Sequence, residues 1–277
     1  MEKRWLEDTE YVARCLAGKE LFGDSFSPED ISLWVQLESQ AYAGLAASGE
    51  EYRYGFHELD RLHGFKHLPS GSAFDRVLGF GSAYGDEILP IADRCGDISI
   101  VEPGDVFWKH RLGEKKVAYT KPAADGELPF EDDSFDLVLC FSALHHVPNV
   151  SKVIGEFSRV MKSGSWLLVR EPISSMGDWF QENRKGTTKC ERGIPRALME
   201  GFIQNSGLSL QQSKPCDFTP WIRFLNLLGV DTFNNRLATR ADAVLSKAFS
   251  FNNVYYATNV FQKFRPSSRY YICRKGA

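Results

Sequence analysis

Gly79, Gly81 and Gly85 lie close together in VLGFGSAYGDEI, residues 77–88. An apolar run enters a glycine-rich turn and a helix is expected to follow. This lets the backbone come close to a ligand and aims free N–H groups at it. The same pattern also makes an ordinary strand-to-helix turn. Glu102 closes the next apolar run, ISIVEP at 98–103, 21 positions after Gly81. A carboxylate in that place accepts hydrogen bonds from the paired hydroxyls of a ribose. On its own it would read as a solvated strand end, and the glycine turn upstream favours the ligand. His145 and His146 follow the apolar run 135–141, and Arg170 and Glu171 end the run 166–170. Ligands of a parallel sheet gather at such carboxyl ends, and His or Glu there can take a proton from an acceptor hydroxyl.

These residues need a frame to hold them. Apolar runs at 76–80, 98–101, 135–141 and 166–170 alternate with helical patterns at 84–94 and 150–161. Continuous runs such as LVLCF indicate strands covered on both faces, hence a parallel sheet with crossover helices. The alternation predicts a doubly wound α/β domain. A helix at 196–206, a strand at 208–213 and a last strand at 269–273 follow. The region 218–264 reads as a helical insertion rich in aromatic residues, which at that frequency usually form core but could equally build a substrate wall or a dimer contact. Residues 1–70 read as an N-terminal helical cap, with Ser27 capping a helix that starts at Pro28. The domain proper is then 71–277.

Bulk properties exclude several classes. The chain has 277 residues, 43% hydrophobic and 25% charged, with a net charge of −3 and a pI near 6.1. That balance gives no general attraction to nucleic acid or to an anionic membrane. No run approaches the roughly 20 apolar residues of a membrane span. The six cysteines are scattered, with no zinc spacing and no disulfide framework, so a reducing cytoplasmic setting is expected. No metal ligand cluster stands at a recognisable spacing. Nothing decides the oligomeric state, and a homodimer stays open.

The stretch DGELPFEDDSFDLVLCFSALHHVPN, residues 125–149, resembles a hallmark of class I S-adenosylmethionine-dependent methyltransferases, in particular the small-molecule group of type 11. With the glycine turn, Glu102 and MKSGSWLLV at 161–169, the resemblance covers residues 74–172. It implies a Rossmann-like, seven-stranded, mostly parallel sheet. It also implies roles: Gly79, Gly81, Ser82 and Gly85 at the methionine end of the cofactor, Glu102 and Pro103 at the ribose, Asp125 and Gly126 at the adenine, and Ser142 beside the sulfonium. His145 is ranked ahead of His146 as the base, with Glu171 nearby. The family usually has an acidic residue where this chain has Gly79 and a glycine where it has Ala83. Asp86, Glu87 or the N-terminal region would have to supply the missing carboxylate, and otherwise the fold would be degenerate and non-catalytic.

Residues 173–195 hold Asp178, Trp179, Arg184, Lys189, Glu191 and Arg192 in a stretch poor in apolar residues. They suit an acceptor lid, and long polar loops in compact domains are often functional. With Arg170 and Tyr54, the mixture of Trp with charged side chains suits a sugar or glycan hydroxyl, as in polysaccharide synthesis, with another small metabolite as the runner-up. A nicotinamide oxidoreductase would share the glycine turn and Glu102 but not the LPF–SFD stretch.

Overall fold

The computed structural model describes residues 2–47, 53–180, 184 and 187–276, with the side chains of 41–47 left aside. The helices α1 (Thr9–Leu16) and α2 (Pro28–Ala47) open the chain. Asp8 accepts the Tyr11 N–H at 2.9 Å and Ser27 Oγ accepts the Asp30 N–H at 3.2 Å, so each start has a side-chain cap. Tyr52, in the aromatic stretch before α3 (His57–His63), lies outside the described residues.

The sheet holds β1 (Phe74–Phe80), β2 (Cys95–Val101), β3 (Arg111–Leu112), β4 (Lys115–Thr120), β5 (Phe135–Phe141), β6 (Met161–Pro172), β7 (Leu208–Phe218) and β8 (Pro266–Lys275). Their order is β3-β4-β2-β1-β5-β6-β8-β7. The strands β4, β2, β1, β5 and β6 are parallel, while β8 runs antiparallel between β6 and β7. The direction of winding reverses between β1 and β5, which opens a crevice at their carboxyl ends. The described sheet thus has eight strands where seven were expected. The extra one, β3, pairs with β4 over two residues and is too short to show a period.

The helices α4 (Val150–Val160) and α5 (Arg196–Asn205) cover one face, and Val153, Ile154, Phe157, Met199 and Ile203 have no exposed surface there. Each such side chain contributes about 1.5–3 kcal/mol by leaving water. On the other face Leu59 of α3 joins Ile88, Ile91 and Phe233. A third cluster unites Trp5, Cys15, Phe22 and Trp34 with Trp179 and Tyr255. The N-terminal helices and the segment after β6 therefore share one core.

Two expected elements differ. Within 84–94 the helix is Asp86–Arg94, a 3-10 helix and not an α-helix. Pro90 lies inside it, lacks an N–H and obstructs the regular ladder. The insertion 218–264 contains α6 (Thr219–Leu227) and α7 (Arg236–Ala248), with irregular chain after them. Its large side chains are not all core, since Leu227 is 87%, Phe251 81% and Phe261 83% exposed. No helix among the described residues is long and apolar enough to cross a membrane.

Candidate functional site

The turn after β1 is built for close approach. Gly81 has φ +63° and gives its N–H to Val101 O at 2.8 Å, and a Cβ on it would stand 2.4 Å from Ala143 Cβ. Gly85 has φ +78°, and a Cβ there would meet Ile100 at 2.8 Å. A side chain at either position would strike packed residues behind the turn, so glycine is what lets the turn close against its neighbours. Ala83 adopts φ +45°, the left-handed region, where the related pattern has glycine. At Gly79 a Cβ would lie 2.5 Å from Ser82 Oγ, so an acidic side chain there would require Ser82 to turn away.

Carboxylates reach the same region from elsewhere. Glu87 is buried beside Ser82, and burial pushes its pKa up to about 8. Asp60 of α3 has no exposed surface, and burial raises its pKa too. It accepts the Tyr54 hydroxyl at 2.6 Å and also the Tyr270 hydroxyl. Arg170 is buried with them, its guanidinium 4.0 Å over the Phe56 ring and its Nη2 donating to Tyr54 at 3.4 Å. Arg170 Nε has no hydrogen-bond partner among the described residues. A buried donor left over in this way suits a polar ligand.

Glu102 ends β2 almost fully buried. Its Oε2 accepts the Ala83 N–H at 2.9 Å and its Oε1 the Gly104 N–H at 3.0 Å. Burial raises its pKa and these donors draw it back. A carboxylate has about four acceptor positions, so two remain for a ligand. Pro103 next to it is exposed. Asp125 is exposed and bound to Lys152 at 2.7 Å, which holds its pKa low, while Gly126 lies against Val153 and Asn149 of α4 and its cap. Ser142 is exposed at the end of β5, with φ +59° and its N–H given to Arg170 O at 2.7 Å.

The histidines stand in a web of carboxylates. Glu171 Oε1 accepts the N–H groups of Ala143 and Leu144, both at 2.8 Å, and its Oε2 contacts His145 Nδ1 at 2.7 Å. Glu171 thus pins the turn Leu144–His146 that carries both rings. His145 Nε2 lies 3.4 Å from Glu191 Oε1. Burial works against a charged ring, yet Glu171 and Glu191 outweigh it and hold the His145 pKa at about 9. Burial and the adjacent His145 push His146 down. Burial favours a neutral Glu191, but the paired His145 prevails and lowers its pKa to about 2. His146 Nδ1 contacts Glu38 of α2 at 2.8 Å, and Trp34 Nε1 donates to His146 O at 2.7 Å.

The residues expected in the lid are used internally, except Lys189, whose side chain is exposed. Trp179 is 1% exposed and gives its indole N–H to Ser175 O at 3.0 Å. Arg192 is fully buried, and its guanidinium donates to the carbonyls of Phe22, Leu144, His145, Val147 and Pro148. Arg184 donates to Met176 O, Thr188 O and Lys189 O, and Asp178 accepts the Phe180 N–H. Residues 181–183, 185 and 186 of that segment lie outside the described residues. Sequence reasoning missed Asp60, Tyr270, Glu38 and Thr188. Their partners are 6 to 210 positions away, and no local pattern marks them.

Residues 78–169 match the model of the family described as Methyltransferase domain. The uncharacterized methyltransferase YcgJ of Bacillus subtilis is 35% identical over 102 residues, 34% of this chain and 40% of that protein. The ubiquinone biosynthesis O-methyltransferase of Hydrogenovibrio crunogenus is 26% identical over 231 residues, 78% of this chain and 95% of that one. A phosphoethanolamine N-methyltransferase 2 of Haemonchus contortus, solved with phosphomonomethylethanolamine and S-adenosylhomocysteine, superposes with a TM-score of 0.52 at 16% identity, covering 79% of this chain and 52% of that one. The chain spans less than half of the Bacillus protein that it matches and nearly all of the Hydrogenovibrio one. Residues 78–169 thus form a methyltransferase domain of the class I, S-adenosylmethionine-dependent kind.

Proposed function

Starting from that domain, we propose that this protein moves the methyl group of S-adenosylmethionine to an oxygen of a small-molecule acceptor. One observation carries the reading: the glycine turn, Glu102 and Ser142 converge at the reversal of the sheet, where Glu102 holds the Ala83 and Gly104 N–H groups and keeps acceptor positions over for a ligand. The crevice fits the cofactor. Gly79, Gly81, Ser82 and Gly85 would border its methionine end, and Glu87 would supply the carboxylate that Gly79 lacks. Glu102, beside Pro103, would hold the ribose, with Asp125 and Gly126 toward the adenine. When bound, the cofactor supplies an electrophilic methyl on a sulfonium. In-line displacement is catalysed mainly by alignment in a shielded site. Glu171 fixes the turn that presents His145 and His146 next to Ser142. Both His145 ring nitrogens stand against carboxylates and its proton is held, so the acceptor oxygen would approach on the side of His146, which burial keeps toward its neutral form.

The acceptor suggested by the sequence was a sugar or glycan hydroxyl. Its support was Trp179 with Arg184, Arg192 and Asp178, and all four are committed to contacts within the protein. That leaves a hydroxyl-bearing small metabolite of another class as the acceptor. The ubiquinone-pathway relative is consistent with that class. Six free, buried cysteines suit a reducing compartment, and we place the protein in the cytoplasm.

The test is calorimetric titration with S-adenosylmethionine, S-adenosylhomocysteine and NAD, then labelled methyl transfer onto phenolic and glycan acceptors. Binding of the first two ligands, with label on a phenol, is the expected result. No binding of either adenosyl ligand would leave a degenerate fold. Label on glycans alone would restore the sugar reading.

A further inference from the structure

Three buried carboxylates and two imidazoles meet under α2 and the end of β5. Glu38 is 5%, Glu171 0% and Glu191 8% exposed, and their recorded ion pairs are with His145 and His146. Burying so much like charge is costly unless cations or protons offset it. Arg192 runs past the cluster but spends its N–H groups on carbonyls.

The donor atoms are arranged for an ion. One ligand atom each from His145, His146 and Glu191 lies within 4.8 Å of the other two. Both rings are held at Nδ1 by a carboxylate, His145 by Glu171 at 2.7 Å and His146 by Glu38 at 2.8 Å. A metal-bound histidine is usually oriented in this way, by a carboxylate on one ring nitrogen. Glu191 is held at Oε2 by the Thr188 N–H at 2.7 Å, and its Oε1 faces His145 Nε2. Glu38 is fixed in turn by the Cys190 N–H at 3.0 Å.

We propose that His145, His146 and Glu191 bind one divalent first-row metal ion, with Glu171 and Glu38 as the carboxylates that orient the two rings. Two imidazoles and a carboxylate suit zinc, iron, cobalt or manganese better than magnesium or calcium. Three protein ligands leave coordination open, as catalytic sites do. On the methyl-transfer reading above, that opening takes the acceptor oxygen. Ion binding itself does not depend on that reading.

The experiment uses the full chain, stripped with a chelator and titrated with zinc and with cobalt(II). One ion per chain is expected, with a visible cobalt spectrum of a low-coordinate site. Glu191→Gln should weaken binding at least tenfold. Glu38→Gln, which acts through His146, should weaken it about 10–100-fold. Thermal melts check that each variant folds. No saturable binding of either ion by natively melting wild type overturns the proposal. So does equal binding by wild type, Glu191→Gln and His146→Gln. Titrating S-adenosylhomocysteine into the same sample separates the two readings. Cofactor binding without metal binding overturns only the ion site, and metal binding without cofactor binding overturns only methyl transfer.

Discussion

Glu87→Gln keeps the shape of the side chain and removes its titration. In the wild type, burial lifts the Glu87 pKa from 4.5 to about 8. Between those values the folded chain holds a proton that the unfolded chain has released. Stability must therefore fall as pH rises through this window, by about 1.4 kcal/mol per pH unit. Below about pH 4.5 both states are protonated and the difference vanishes. From pH 5 to pH 7 the wild type should lose about 2.5 kcal/mol relative to Glu87→Gln, read from urea unfolding at each pH. A cofactor ammonium beside Glu87 would favour its ionised form, so binding must expel the proton. At pH 6.5, calorimetry in buffers of different ionisation enthalpy should find about one more proton released by wild type than by Glu87→Gln when S-adenosylhomocysteine binds. A flat stability difference would refute the raised pKa. Equal proton release with a sloping stability difference would take Glu87 out of the cofactor site.

Glu102→Ala leaves the Ala83 and Gly104 N–H groups without their acceptor. It should weaken cofactor binding by about 1.5–3 kcal/mol, and unchanged affinity would remove Glu102 from the site. Gly81→Ala puts a Cβ 2.4 Å from that of Ala143 at φ +63°, and should cost about 1–3 kcal/mol in urea unfolding. Adding Ala143→Gly should recover the steric part but not the backbone part, and no recovery would show that the clash is not the cause. Arg192→Lys replaces a planar fork that reaches five carbonyls by a single ammonium. About 2–3 kcal/mol of stability should go, and a loss under about 0.5 kcal/mol would mean that solvent replaces those bonds.

Four of the five parallel strands, the glycine turn and the acidic strand end were legible in the sequence, while β4 was not. Each rests on a local rule: an unbroken apolar run means a strand covered on both faces, and glycines before a helical segment mean a tight turn. Local rules also have local failures. Pro90 made a 3-10 helix of the expected α-helix, and β3 was too short to register. Side-chain partners were decided only in three dimensions. Glu171 and Arg170 are neighbours at the end of β6, yet one pins the histidine turn and the other lies over Phe56 beside Tyr54. Successive strand residues face opposite sides of a sheet, so their partners come from different layers. Trp179 and Arg192 looked like a binding surface by residue type. They became core because α1 and α2 fold over them, and a buried Trp or Arg is satisfied by whichever carbonyls that packing brings within reach.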